Sequence, residues 1–200
     1  MVAQIDRPAV TLFGSARVGA GHPAYEAARA VARRFAETGW AVVTGGGSGV
    51  MEAGNRGARE GGGLSVGFNI ALPHEQRLNP YCDLSYTFTH FYARKACFVR
   101  PASGFVAFAG GFGTLDEITE ALVLVQTGKV LHFPVVLFGS AHWQPLLDWF
   151  RDRLGAEGMI SPDDVELLHL VDDVDEAVRI VLDRHSQRAE SSAPHKGDAQ

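Results

Sequence analysis

A glycine-rich segment between an apolar run and a helical run constrains this chain more than any other feature. The apolar run at residues 104–108 predicts a buried strand, and residues 118–127 predict a helix. Between them, residues 110–117 read GGFGTLDE. Glycine lets the backbone approach a ligand closely, and a helix start offers unpaired N–H groups and a partial positive charge. The segment therefore predicts a phosphate-binding turn, in which Thr114 and Glu117 have the spacing of a capping box.

Composition limits the classes of function that the chain can serve. Its 200 residues, 46% of them hydrophobic, are enough for one domain with a sizeable core. A net charge of -5 argues against a nucleic-acid-binding surface. Cys82 and Cys97 form no CxxC pair and the histidines have no metal-binding spacing, so we expect neither a disulfide scaffold nor a metal site. We see no signal sequence and no membrane span, and we expect a cytoplasmic protein.

Segments typical of strands and of helices alternate along the chain. Strands are predicted at the apolar runs of residues 9–13, 40–44, 64–70, 84–89, 104–108, 133–138 and 167–171. The alternation predicts an α/β fold in which a central parallel sheet carries helices on both faces, giving three layers. We assign residues 1–185 to a single domain. Residues 186–200 have no hydrophobic pattern, and we expect them to form a disordered tail.

Other polar or glycine-rich segments also follow predicted strands. Ser15 and Arg17 follow the first strand, residues 45–49 follow the second, and Glu75 lies in the loop after the third. Ligands of parallel sheets bind at the carboxyl ends of the strands, so we expect these segments to meet residues 110–117 at one crevice. The second turn lacks the third glycine of a dinucleotide fingerprint and the Lys-Ser/Thr pair of a P-loop.

Two adjacent cations interrupt the apolar face of a helix predicted at residues 91–102. Arg94 and Lys95 fall between Phe91 and Phe98, which share that face. A buried cation needs a partner, which could be an anionic ligand or the carboxylates that follow the glycine-rich turn. Those carboxylates belong to Asp116, Glu117 and Glu120. The alternative is that both cations extend past the aromatic rings into solvent.

Residues 122–125 are apolar on almost every face of their predicted helix. Such a helix is buried on two sides, as a subunit interface would require. The alternative is that a large loop covers it.

Taken together, the glycine-rich turns, the cations and the carboxylates suit hydrolysis at a phosphorylated sugar. Cleavage of an N-glycosidic bond builds positive charge on the sugar ring, and a carboxylate can stabilise that charge or activate water. Backbone amides and a cation would hold the 5′-phosphate and so orient the sugar. The residues by themselves indicate a nucleotide-binding α/β enzyme, with hydrolysis as one candidate reaction.

Residues 110–117 resemble the PGGxGTxxE signature of the LONELY GUY family, and Arg94 and Lys95 are placed as in that family. The resemblance includes Gly14-Ser15, residues 45–51 and residues 72–75, and it covers roughly residues 8–183. Ala109 stands where the signature has proline. Alanine makes the start of the turn less stiff than proline would, but it removes no group that contacts a ligand. Family members are cytokinin riboside 5′-monophosphate phosphoribohydrolases, which release N6-modified adenine, or adenine from AMP, from ribose 5-phosphate.

The resemblance implies a catalytic pair, Arg94 and Glu117. Glu117 would assist water or stabilise the developing cation, and Arg94 would orient the substrate. The residues implied to contact the substrate are Ser15, Gly46, Gly47, Gly49, Met51, Glu75, Lys95, Gly110, Gly111, Phe112, Gly113, Thr114, Leu115, Asp116 and Glu120. The resemblance further implies a Rossmann-like fold, a homodimer, a nucleotide 5′-monophosphate as ligand and no cofactor; the composition already argues against a metal site, a nucleic-acid partner and a membrane partner.

Other functions are compatible with parts of this pattern. A broader purine 5′-nucleotide nucleosidase would share the chemistry and differ in the base pocket. A non-catalytic nucleotide carrier on the same fold would not need a water-activating acid such as Glu117. A dehydrogenase is disfavoured by the incomplete fingerprint. The older family label, lysine decarboxylase, would require a Schiff-base lysine and a partner for the pyridinium nitrogen, and the sequence indicates neither.

Overall fold

Seven parallel strands form one sheet in the part of the chain that the computed structural model describes, which is residues 2–72, 77–130 and 133–192. The strands are β1 (Ala9–Phe13), β2 (Ala41–Thr44), β3 (Ser65–Ile70), β4 (Leu84–Phe88), β5 (Ala102–Ala107), β6 (Val135–Phe138) and β7 (Leu168–Val171). Their order across the sheet is β4-β3-β2-β1-β5-β6-β7, and every neighbouring pair is parallel. The predicted α/β fold with a parallel sheet is therefore confirmed.

Helices cover both faces of this sheet. They are α1 (Pro23–Glu37), α2 (Val50–Glu60), α3 (Phe91–Val99), α4 (Phe112–Gln126), α5 (Ser140–Trp149), α6 (Pro162–Val165) and α7 (Val174–Ser192), with a π-helical continuation of α5 at Phe150–Gly155. Buried side chains of α1, α2 and α7 pack on one face, and those of α3 to α6 pack on the other. Fully buried strands are typical of parallel sheets covered on both sides, and β1, β2, β3 and β5 are buried along their whole length.

Predicted segment boundaries differ from the structure most clearly at the C-terminal ends of two helices. Helix α3 ends at Val99, not at residue 102, because Pro101 has no N–H to donate to a helical carbonyl. Helix α7 continues to Ser192, whereas the sequence predicted a disordered tail from residue 186. Polar residues such as Gln187 and Arg188 are good helix formers, so the loss of an apolar pattern did not end the helix. Residues 193–200 lie outside the described part.

The strand order reverses between β1 and β5. The chain runs from β1 outward to β4, and then returns to pair β5 with the other side of β1. Connections therefore leave these two strands toward opposite faces, which opens a crevice at their carboxyl ends. The turn after β1 and the glycine-rich turn after β5 both lie at this crevice.

Hydrogen bonds fix the turns at the crevice to one another. The amide of Ser15 donates to the carbonyl of Ala109 at 3.0 Å, and the carbonyl of Ser15 accepts from the amide of Val50 at 3.0 Å. The hydroxyl of Ser48 donates to the carbonyl of Ala16 at 2.8 Å. Gly49 permits this approach, since a Cβ atom there would clash with the Ser15 carbonyl and its φ is +69°. The turns after β1, β2 and β5 therefore form one rigid unit.

None of the helices in the described ranges is long and apolar enough to cross a bilayer.

Replacing Gly49 by alanine should lower the free energy of unfolding by about 2 kcal/mol or more, because the new Cβ combines a steric clash with a positive φ. Chemical denaturation measures the change. Gly19→Ala is the matched control, since a Cβ at Gly19 meets no heavy atom within 4 Å. Equal stabilities of the two variants would contradict the close contact described for Gly49.

Candidate active site

A cavity of about 700 Å³ opens at the carboxyl ends of β1, β2 and β5. Residues from four separate parts of the chain line it: Phe13, Gly14, Ser15, Ala16 and Arg17; Gly45 and Met51; Arg94 and Phe98; and Gly111, Phe112, Gly113, Thr114, Leu115 and Glu117. The structure thus brings together the turns after three strands and one face of α3. Its volume is in the range of small-molecule binding sites.

The N-terminus of α4 presents free backbone amides to this cavity. The first helical hydrogen bond runs from the amide of Leu115 to the carbonyl of Gly111 at 3.0 Å, so the amides of residues 112–114 have no partner within the helix. Such amides, together with the helix dipole, favour an anion. The turn is also held from outside, because the Gly110 amide donates to Nε2 of His142 at 3.4 Å.

The predicted capping box is wrong. Helix α4 begins at Phe112 with Gly111 as N-cap, and no side chain caps it. Thr114 therefore lies inside the first turn, where its buried side chain packs against Gly110; a Cβ atom at Gly110 would clash with the Thr114 hydroxyl. Gly110 is needed for this packing, and the amides that a cap would have occupied stay open to the cavity.

Arg94 and Glu117 form an ion pair in the cavity wall. Nη2 of Arg94 lies 3.4 Å from Oε1 of Glu117, and their side chains are only 13% and 5% exposed. The Arg94 guanidinium also lies 5.2 Å from the ring centroids of Phe91 and Phe98, a distance at which cation–π attraction operates. Its buried Nε finds no acceptor among the described residues. The alternative that this cation extends into solvent is therefore wrong.

Burial raises the pKa of Glu117 to about 7, because the carboxylate loses more stabilisation by water than its neighbouring cations supply. Arg94 opposes the shift, and Lys95 opposes it less. Burial likewise lowers the pKa of Arg94, while Glu117 raises it. An acid with this pKa can accept a proton near neutral pH, as a general base must.

The second cation of the pair, Lys95, is neutralised by the other carboxylates that follow the glycine-rich turn. Its Nζ lies 2.8 Å from Oδ1 of Asp116 and 3.3 Å from Oε2 of Glu120. The Lys95 side chain is 19% exposed and does not line the cavity. Both cations therefore pair with carboxylates of α4, which was one of the two partners that the sequence predicted.

A buried polar network supports the turn after β2. The amide of Gly46 donates to the Thr44 hydroxyl at 2.9 Å, and that hydroxyl donates to Oδ1 of Asn55 at 2.6 Å. Nδ2 of Asn79 donates to the Gly47 carbonyl at 2.9 Å and to Oδ1 of Asn55 at 2.8 Å. Sequence reasoning missed the asparagines, because their partners are distant in the chain.

The predicted site residues fall into groups by position. Those lining the cavity are Arg94, Glu117, Ser15, Met51, Gly111, Phe112, Gly113, Thr114 and Leu115. Those that do not line it are Gly46, Gly47, Gly49, Gly110, Lys95, Asp116 and Glu120, and their contact with a ligand stays a prediction. Glu75 lies outside the described residues. Gly14, Arg17 and Gly45 also line the cavity and belong to segments expected at the crevice, whereas Phe13, Ala16 and Phe98 are lining residues that the prediction missed.

The raised pKa of Glu117 makes the stability of the fold depend on pH. Between about pH 4.5 and 7 the folded state holds a proton on Glu117 that the unfolded state has released, so this group's contribution to stability falls as pH rises. Glu117→Gln removes the ionisation. We therefore expect the melting temperature of Glu117→Gln, relative to that of the wild type, to increase from pH 5 to pH 8, as measured by calorimetry. Exposed Glu157→Gln serves as the control, and a gap between Glu117→Gln and wild type that does not change with pH would contradict the raised pKa.

Comparison with known proteins places the chain among proteins of related sequence and structure. A family model described as "Possible lysine decarboxylase" matches residues 51–181. A cytokinin riboside 5′-monophosphate phosphoribohydrolase of Mycobacterium marinum is 31% identical over 156 residues, or 77% of this chain and 83% of that protein. A probable enzyme of the same name from Oryza sativa subsp. japonica is 33% identical over 139 residues, or 68% of this chain and 56% of that protein.

Solved structures share the fold over most of the chain. A molybdenum cofactor carrier protein from Chlamydomonas reinhardtii has a TM-score of 0.69 and 25% sequence identity, covering 90% of this chain and 99% of that one. A molybdenum cofactor binding protein from Rippkaea orientalis has a TM-score of 0.66 at 21% identity, again over 90% of this chain and 98% of that one. The family model over residues 51–181 and the matching relatives identify the chain as a member of the LONELY GUY family, whose family model is described as possible lysine decarboxylase.

Proposed function

We propose that this protein hydrolyses the N-glycosidic bond of adenosine 5′-monophosphates, including N6-modified ones, to a free base and ribose 5-phosphate. The observation that carries the proposal is the position of Glu117. This buried carboxyl group, with a pKa of about 7, lines the same cavity as Arg94 and the free amides of α4. The names of relatives at 31% and 33% identity support the same reaction class.

The two ends of the cavity wall suit different parts of a nucleotide. The amides of residues 112–114 would hold the 5′-phosphate at the positive end of α4. Glu117 lies further along the same helix, which directs the ribose of a phosphate-anchored nucleotide toward the carboxyl group. Arg94, fixed by Phe91 and Phe98, would hold the sugar in place.

In the proposed reaction, water attacks C1′ of the ribose. The water oxygen bonds to C1′ and gives a proton to the Glu117 carboxylate, while the bond from C1′ to the base nitrogen breaks. The electron pair of that bond leaves with the base, which takes up a proton from the solvent, and Glu117 then releases the proton that it received from the water. Positive charge grows on the sugar ring during cleavage, and the ionised carboxylate stabilises it.

A non-catalytic nucleotide-binding carrier is a second candidate, since a molybdenum cofactor carrier protein shares the fold at a TM-score of 0.69. A carrier would use the anion-binding turn and Arg94, but it has no use for a buried acid poised near neutrality. Lysine decarboxylation gains no support from the cavity, because Lys95 is held by Asp116 and Glu120 and does not line it.

Glu117→Gln should reduce base release from AMP and from N6-isopentenyladenosine 5′-monophosphate by about 100-fold or more, because the variant has no proton acceptor. Chromatography of the released base measures turnover, and calorimetry should show that ribose 5-phosphate still binds. The control Glu157→Gln changes an exposed carboxylate and should keep full activity. Wild-type protein that binds nucleotides without releasing base from any of them would favour the carrier; near-native turnover of Glu117→Gln would remove Glu117 from the mechanism.

We further propose that two copies of this chain associate through α4. Val123 is 55% exposed on this helix and borders an apolar groove of about 210 Å³. Leu122, Phe150, Leu154 and Ile160 are among the residues that line the groove. A second copy would bury this surface, in accordance with the apolar character of residues 122–125.

Val123→Glu should shift the protein toward monomers, because a carboxylate would have to be buried at the interface. Light scattering coupled to size-exclusion chromatography measures the mass. Ala20→Glu, which adds the same charge at an exposed loop position, should remain dimeric. A wild-type protein that is monomeric at micromolar concentration would refute this arrangement.

A further inference from the structure

Arg17 is a cation of the cavity wall that the reaction described above does not use. Among the described residues, the ionisable side chains that line the cavity are those of Arg17, Arg94 and Glu117. Arg94 and Glu117 pair with each other. The Arg17 side chain is exposed and forms no ion pair with a described residue. The cavity therefore carries a net positive charge even when Glu117 is ionised.

This local charge contrasts with the rest of the molecule. The chain has a net charge of -5, and several of its arginines are matched to carboxylates. Arg29 lies 2.7 Å from Glu60, and Arg34 lies 2.7 Å from Asp175. A cation without a carboxylate partner, in a concave site, raises the local concentration of anions there.

The backbone that carries Arg17 is fixed, although its side chain is exposed. The Arg17 amide donates to the Ser15 hydroxyl at 3.1 Å, and Ser15 is bound in turn to Ala109 beside the glycine-rich turn. Arg17 thus stands on the β1 side of the crevice, and the N-terminus of α4 stands on the β5 side. A group held by the α4 amides would lie between a helix dipole and a guanidinium.

We propose that Arg17 binds the phosphate group of the substrate across the crevice from the α4 amides, and so makes the site selective for phosphorylated ligands. The identity of the nucleotide rests on the proposed function. The binding of its phosphate group by Arg17 rests only on the geometry of the cavity. A guanidinium suits this role, because it donates paired hydrogen bonds to phosphate oxygens and stays charged. Arg94 is less free to do so, since it is paired and buried.

The test measures binding of ribose 5-phosphate and of ribose by calorimetry, without turnover. Arg17→Gln should weaken ribose 5-phosphate binding about tenfold or more and leave the affinity for ribose unchanged. Arg17→Lys should fall between wild type and Arg17→Gln. Arg153→Gln is the control, because it removes an exposed arginine that does not line the cavity.

With AMP as substrate, Arg17→Gln should raise KM about tenfold and change kcat little, while the rate with adenosine stays the same. Unchanged affinity of Arg17→Gln for ribose 5-phosphate, an equal loss for ribose, or a wild-type protein that binds no ribose 5-phosphate would each overturn the proposal. Phosphate binding that depends on Arg17 in a protein that releases no base would sustain the proposal and remove the hydrolase function instead.

Discussion

The burial of the Glu117 carboxyl group beside the Arg94 guanidinium is the interaction on which the chemistry of this site depends. At 3.4 Å the pair is loose, so attraction does not restore what the carboxylate loses on leaving water, and its pKa rises to about 7. Two aromatic rings hold the guanidinium, and Phe98 also packs edge-on against Phe13 at the end of β1. The pKa of Glu117 therefore depends on the packing of the core as well as on Arg94.

The charged groups around this pair fall into two sets, one that lines the cavity and one that does not. Lys95 binds Asp116 and Glu120 and does not line the cavity, whereas Arg17, Arg94 and the N-terminus of α4 do. Glycine is the device that allows the backbone segments to meet so closely. Gly49 lets the turn after β2 contact Ser15, and Gly110 lets Thr114 pack against the glycine-rich turn. Buried asparagines then hold the second turn in place, as Asn79 does for Gly47.

Much of this arrangement follows from the sequence. Alternating apolar runs predicted the parallel sheet. The rule that ligands bind at strand ends predicted that segments following the strands would meet at one crevice, where Ser15, Met51 and residues 111–115 lie. The odd placement of Arg94 among aromatic residues correctly indicated a buried ion pair. Contacts between distant residues could not be predicted, which is why the roles of Asn55 and Asn79 were missed. The spacing of Thr114 and Glu117 wrongly predicted a capping box, because the Thr114 side chain is buried and does not cap the helix.

The titration of Glu117 itself shows most directly whether its carboxyl group is buried beside Arg94. Carbon NMR of protein labelled at the glutamate carboxyl carbons, with the signal assigned by its loss in Glu117→Gln, gives the pKa of this group without reference to any substrate. We expect a midpoint near pH 7, because burial of the carboxyl group raises its pKa. A midpoint near the ordinary value of 4.5 would show a carboxylate that water reaches freely, and would contradict the buried acid–guanidinium pair at the centre of the site.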